Sequence, residues 1–452
     1  MKKNSIRIFF LLALLVGQLS ATAQTGSIKQ VPQLLGKNAI VREWDNGWSV
    51  AFAQDLSGDG CFVLLDPALN TARTASLPSH VLVTDFRVHD DSVFCIGTLQ
   101  LGGIDRALVG FFDIQQLFYG GGGIHYGQFY NGNHPDYSLI TIPRRMDVYE
   151  HDGITHIAFV GDCELDPFTG FVPRTTVCDI YYDGIAWQCN YYFNKPGNEV
   201  YTDIVASDSY VAAVARDTNN TKCYVDVYYP SGDFPTTPLL TGGIFTLMGE
   251  PPVGAIRVEE LSPDVFALAY QYKNSTYAGS TMMRFKVDNT IPTLNILGSY
   301  TTPHGPSSIY NTSWESKQLR YDAPSSKLMF LQKTSSSVLP TLEYIQCLYD
   351  ISALGTGVED FLYYPGYAWH RMDLLSTASY QKTGEDLGGL LVVENNDFNH
   401  IDCMTLNTLN FSPSPVTVTT ERKDEYEDPD PVITYGYHIP TIQLHPFVLI
   451  CD

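Results

Sequence analysis

An all-β fold built from repeats of about sixty residues is what this sequence predicts, and three observations carry the prediction. First, seven segments each place a short strand, a tight polar turn and a more apolar strand in succession, beginning at residues 40, 84, 146, 202, 257, 319 and 379. Second, a variable loop and a third apolar strand follow each hairpin, in CFVLLD, ALVGFFD, CDIYYD, CYVDVYY, MRFKVD, CLYD and CMTLN. Third, helical periodicity is nearly absent, and Glu359 to Ser376 is the one stretch that suits a short helix.

In chain order, residues 1–23 come first. Lys2, Lys3 and Arg7 precede an apolar core from Ile8 to Val16, and Ala21-Thr22-Ala23 suits cleavage, so this stretch reads as a signal peptide. The expected mature chain is exported, periplasmic or extracellular. Residues 24–37 form an N-terminal segment, and 38–452 form a single domain of repeats. Each hairpin is marked by its turn: Asn46-Gly47, Asp90-Asp91, Asp152-Gly153, Asp208-Ser209, Pro263-Asp264, Ser325-Ser326 and a looser Gly384-Glu385-Asp386. ERKDEYEDPDP, residues 421–431, reads as a solvated loop. The strands in PVITYGYHIP and TIQLHPFVLIC are expected to form the outer part of the last repeat or to close the ring.

Seven units of this spacing resemble the blades of a seven-bladed β-propeller, a likeness of fold across residues 38 to 450 that points to no one named family. Radial packing buries both faces of each small sheet and leaves only short edges. A multi-sheet β-sandwich architecture is the rival.

Charge narrows the partners. The chain carries 49 Asp and Glu against 27 Lys and Arg, a net charge of -22, and loss of the three basic residues of the leader makes it -25. Nucleic acid and anionic membrane surfaces are thereby disfavoured, and no later run is apolar enough for membrane insertion. A glycan or a protein is the expected ligand.

Four groups of residues invite a functional reading. In QDLSGDGCF, Asp55, Ser57 and Asp59 alternate before Gly60 like the opening of a calcium loop. Asp217 and Asp397 share the same spacing to a cysteine without the ligands, so hairpin geometry is the favoured reading. No other cofactor is expected, and calcium is the one metal left open. Asp85, Asp147 and Asp203 recur at strand starts and read as structural carboxylates that bind backbone N–H groups. Nine cysteines raise the question of disulfides: Cys178 and Cys189 face each other if the turn is Asp183-Gly184, and Cys403 with Cys451 is a second candidate pair.

The aromatic segments are the fourth group. YGGGGIHYGQFYNGNHPDY offers Tyr126, Tyr130 and His134, and YYPGYAWHRMD offers Tyr363, Tyr367, Trp369 and His370. Such rings suit sugars, whose C–H faces are apolar; packing between blades is the competing reading. No GxSxG elbow or HExxH motif occurs. The expectation is a binding or interaction protein that recognises a ligand through its loop-rich face. A polysaccharide-acting hydrolase or lyase, with catalytic carboxylates from different blades, and a scaffold subunit of an envelope complex are the alternatives.

Overall fold

The hairpins are present where the turns mark them, and the sheets they build close into a ring. A computed structural model describes residues 27–101, 104–130, 142–163, 174–196, 199–217, 223–228, 240–246, 252–288, 293–306, 315–323, 326–333, 342–350, 357–363, 368–375, 379–386, 389–395, 408–410, 412–413, 417–420, 426–427 and 432–451. They form seven antiparallel sheets of five strands each. The innermost strands are Leu34–Glu43, Val81–His89, Ile142–His151, Glu199–Ala206, Pro252–Ser262, Glu315–Asp322 and Ala368–Leu375, which define blades 1 to 7. Each lies against the innermost strand of the next blade, and that of blade 7 lies against that of blade 1. This is a seven-bladed β-propeller.

Six of the seven expected hairpins are the first and second strands of blades 1 to 6. The seventh is displaced by one strand: Ser379–Asp386 and Gly389–Asn395 are the second and third strands of blade 7. Its inner strand comes from Ala368–Leu375, within the stretch expected to be helical. Gly357–Tyr363 and Ala368–Leu375 are both strands, and the helix expectation fails because ladder pairing, on both sides of the first and on one side of the second, outweighs a weak local pattern. The one helical turn among the described residues is Gln116–Gly120, in a loop of blade 2.

Packing follows from apolar residues on both faces of each hairpin. Phe52 and Phe62 of blade 1 face Phe86 and Phe112 of blade 2, and the Phe62 ring meets those three at 4.8 to 6.0 Å, edge to face. Ala51, Ala53 and Val63, on the opposite face of blade 1, join Val31 and Leu34 in a second core. Burial of a side chain the size of Phe contributes about 1.5–3 kcal/mol, and this pattern repeats between successive blades.

Polar contacts lock the inner strands together. Asp85 is fully buried; its Oδ1 accepts from Arg42 Nη2 of blade 1 at 3.0 Å, and its Oδ2 from Met146 N of blade 3 at 3.3 Å. Asp147 accepts from Arg87 Nε at 3.0 Å and from Ala206 N of blade 4 at 2.9 Å. Asp203 accepts from Val258 N of blade 5, and Glu259 from Tyr321 N of blade 6. The recurring carboxylates are thus structural, and the N–H groups they hold belong to the next blade.

Ring closure uses both ends of the chain. Ser27–Val31 pairs with Gly389–Asn395 as the fourth strand of blade 7, and Val448–Cys451 pairs with Ser27–Val31 as the fifth. The final strands thus close the ring against the N-terminal segment, one of the two expectations, and they do more than that. From Thr408 onward the chain runs back around the ring and adds an outermost strand to every blade. Thr408–Asn410 pairs with blade 6, Ser412–Pro413 with blade 5, Thr417–Thr420 with blade 4 and Tyr426–Glu427 with blade 3. Val432–His438 then pairs with blade 2 and Ile442–Pro446 with blade 1. Part of the acidic segment 421–431 is therefore edge strand. Among the described residues, no helix is long and apolar enough to cross a membrane.

Candidate functional site

Inner strands that end beside one another leave their last residues around the mouth of the central channel. His89 of blade 2, Val148 to Glu150 of blade 3, Ala206 to Ser209 of blade 4 and Glu260 to Pro263 of blade 5 line a crevice of about 610 Å³ there. It opens on the face of the short hairpin turns, opposite the face where the long inter-blade connections gather.

The crevice is polar and asymmetric. Glu150 Oε1 accepts from Thr155 Oγ1 at 2.5 Å and lies 3.2 Å from His89 Nε2, so one wall is held by hydrogen bonds across two blades. On the other wall, burial pushes the Glu260 carboxyl up to about 7, and the negative charges of Asp147 and Glu259 add to the shift. Burial likewise raises Glu259. Ser207 hydrogen-bonds Glu260 and opposes the rise. Near neutral pH Glu260 therefore both donates and accepts hydrogen bonds, beside the hydroxyls of Ser207, Ser209 and Ser262.

A second grouping lies on the outer rim between blades 2 and 3. His125 stacks on Phe111 at 4.7 Å, and its Nδ1 is hydrogen-bonded to the Tyr435 hydroxyl at 2.9 Å. Burial pushes the His125 pKa down, which favours its neutral ring. Tyr182 stacks on Tyr435 at 6.0 Å, and Tyr435 and Tyr437 are each about half exposed, 48% and 47%. Two glycines make this possible. Tyr126 sits opposite Gly436 and Tyr435 opposite Gly127, and a Cβ at Gly436 would come within 2.2 Å of the Tyr126 ring.

The residues singled out in the sequence are only partly brought together. Tyr126 is half-buried, packs on the core of blades 1 and 2 and lines a 30 Å³ void, so the packing reading holds for it. Tyr130 ends the strand Ile124–Tyr130 opposite Val432, and His134 lies outside the described residues. Tyr363 ends the fourth strand of blade 6, and Trp369 and His370 belong to the inner strand of blade 7. Their backbone is therefore ladder, not loop; Tyr367 and these side chains are outside the described set.

Asp55, Ser57 and Asp59 form a tight turn. Asp55 Oδ1 accepts from Ser57 N at 2.8 Å and Asp59 N at 3.1 Å, the hairpin arrangement favoured from sequence. Among the described residues, no group of three or more His, Cys, Asp or Glu converges as metal ligands would.

The Cys178–Cys189 pairing is wrong. The turn spans Asp183 to Ala186, with Asp183 Oδ1 accepting from Ile185 N and Ala186 N at 2.8 Å, so Tyr182 faces Trp187. A bulge between Asp179 and Ile180 adds a further residue; Cys178 faces Tyr192 and Cys189 faces Ile180, so the two do not oppose each other. Cys451 sits on the fifth strand of blade 7, and Cys403 is outside the described residues.

Sequence reasoning missed His89, Glu150, Ser207 and Glu260. The signal available was positional: each lies at or just before a hairpin turn, where an inner strand ends at the channel mouth.

No family model matches the chain, and no curated protein matches it. Among solved structures it is similar to an oligogalacturonate lyase in complex with manganese, at 10% identity over 83% of this chain and 94% of that one, with a TM-score of 0.43. It is also similar to Drosophila Semaphorin 2a, at 8% identity over 82% and 75%, TM-score 0.44. A third is the WD40 domain of SCAP from fission yeast, at 11% identity over 83% and 99%, TM-score 0.35. These likenesses concern fold alone, and function rests on this chain's own residues.

Proposed function

We propose that this is an exported, non-catalytic propeller that binds a neutral polyhydroxylated ligand, a glycan segment, in the crevice at the channel mouth. The observation that carries the reading is the lining itself. Carboxyl groups on two walls, Glu150 and Glu260, accept from sugar hydroxyls, three serines add both donors and acceptors, and Val148, Leu261 and Pro263 offer apolar surface to C–H faces. A net charge of -22 and the crevice carboxyls disfavour uronic-acid polymers and other anions. Export rests on the leader-like residues 1–23, and the N-terminus of protein recovered outside the cytoplasm tests it.

Titration calorimetry against neutral and acidic oligosaccharides tests the ligand class. A neutral oligosaccharide is expected to bind, and Glu150→Gln with Glu260→Gln to weaken it at least tenfold. Tight binding of acidic oligosaccharides alone, or affinity indifferent to both substitutions, contradicts the reading. One observation favours a second reading, a glycoside hydrolase: a carboxyl protonated near neutral pH suits a general acid, with Glu150 as its partner. Release of reducing ends from the bound oligosaccharide, abolished by Glu260→Gln, would establish it.

A further inference from the structure

The last stretch of the chain differs in kind from the rest. Charged residues make up 17% of the sequence, yet from Pro431 to Cys451 there is no Asp, Glu, Lys or Arg, and His438 and His445 are the only titratable side chains besides the tyrosines and the terminal cysteine. This run is not buried. Tyr435, Tyr437, Ile439, Ile442, Leu444 and Val448 are all exposed, from 37% at Ile442 to 68% at Ile439. They lie on or between the outermost strands of blades 2, 1 and 7, so the apolar rim spans three blades.

Val432–His438 is also an open edge. Its ladder partner is Ile124–Tyr130, and among the described residues no strand pairs with its other side. Exposed edges are ordinarily guarded by Lys, Pro or a bulge. This one has no charge or proline within it, and its ladder with Ile124–Tyr130 runs without a register shift.

We propose that this rim joins two copies of the chain, through antiparallel pairing of Val432–His438 with the same strand of a second copy, centred on Tyr435. Charge selects that occupant. Two copies of so acidic a chain repel each other, and a two-fold contact sets the residues at its axis against their own counterparts, so carboxylates there would form like-charge pairs. A chain of net charge -22 self-associates most readily where such pairs are absent, and the run 431–451 is such a surface. Pairing centred on Tyr435 sets Ile433 against Tyr437 and completes the backbone hydrogen bonds of a strand roughly 20 Å long. Ile439, Ile442 and Leu444 extend the contact toward the roughly 800 Å² per partner of a stable interface.

Sedimentation velocity of the purified protein between about 1 and 100 μM tests the inference. A dimer is expected, with Thr434→Lys and Leu444→Lys, on different blades, each weakening it at least tenfold while the thermal midpoint stays within a degree or two. Tyr435→Cys is expected to give a disulfide-linked dimer on non-reducing gels. A monomer throughout the range overturns the proposal, as does a dimer indifferent to both lysines. A dimer weakened by Leu444→Lys alone overturns the strand pairing.

Discussion

The innermost and outermost strands belong to the same seven sheets, yet they hold the ring by opposite chemistry. Arg42, Asp85, Arg87, Asp147, Asp203, Arg257, Glu259 and Arg320 interlock the inner strands, with the buried Asp85 as the most connected member. Burial disfavours the Arg87 guanidinium, but Asp85, Asp147, Asp203 and Glu259 raise its pKa overall. The outer strands of blades 2, 1 and 7 hold by ladder pairing and aromatic contacts, without charge. Specificity of blade-to-blade contact is concentrated at the axis; exposed apolar surface is concentrated at the rim.

The largest expected effect lies at the axis. Asp85→Ala leaves Arg42, Arg87 and Arg145 facing one another without their shared carboxylate, and removal of one partner from a buried pair typically costs about 3–5 kcal/mol. Denaturant unfolding measures it; a loss below about 1 kcal/mol would show that the charges are dispensable and erase the contrast. Gly436→Val is next. Its side chain would strike the Tyr126 ring and lift Val432–His438 from blade 2, at a cost of about 1–3 kcal/mol. Faster hydrogen exchange in residues 432–438, with blades 3 to 5 unchanged, is the expected signature.

Glu260→Gln is the smaller, pH-dependent case. A carboxyl raised in the folded state from its ordinary 4.5 to about 7 contributes stability below the lower value, and that contribution is lost as pH rises through the higher one. The variant lacks this loss, so its thermal midpoint is expected to exceed wild type at pH 8 and to converge with it at pH 4. An unchanged difference across that range would contradict the raised value. Smallest of all is Tyr437→Ala on the exposed rim, expected within about 0.5 kcal/mol of wild type in stability.

The same contrast explains how much was legible in the sequence. Hairpins with Asn46-Gly47, Asp152-Gly153 and Pro263-Asp264 turns could be read because the turn residues adopt positive φ that few residues favour: 51° at Asn46, 77° at Gly153 and 68° at Asp264. The seventh hairpin slipped by one strand because blade 7 borrows Ser27–Val31 from the other end of the chain, a pairing no local pattern encodes. The encircling outer strands were hidden for a related reason: two-residue pairings such as Ser412–Pro413 carry no periodicity.

Among the candidate sites, the Asp55 turn is built on hydrogen bonds to Ser57 N and Asp59 N within the same loop, which a local pattern encodes, whereas the recurring aspartates reach N–H groups of the next blade. The cysteine pairing failed on a four-residue turn and a bulge. The crevice was illegible because His89, Glu150, Ser207 and Glu260 come from four blades and share only their place at a strand end.

Hydrogen exchange of the protein with and without a bound neutral oligosaccharide tests the central claim most directly, because it reads axis and rim in one experiment. Protection concentrated in residues 148–150, 206–209 and 260–263, with 432–448 unchanged, is the predicted result. Protection confined to the rim around Tyr182, Tyr435 and Tyr437 would contradict the assignment of the ligand to the channel mouth.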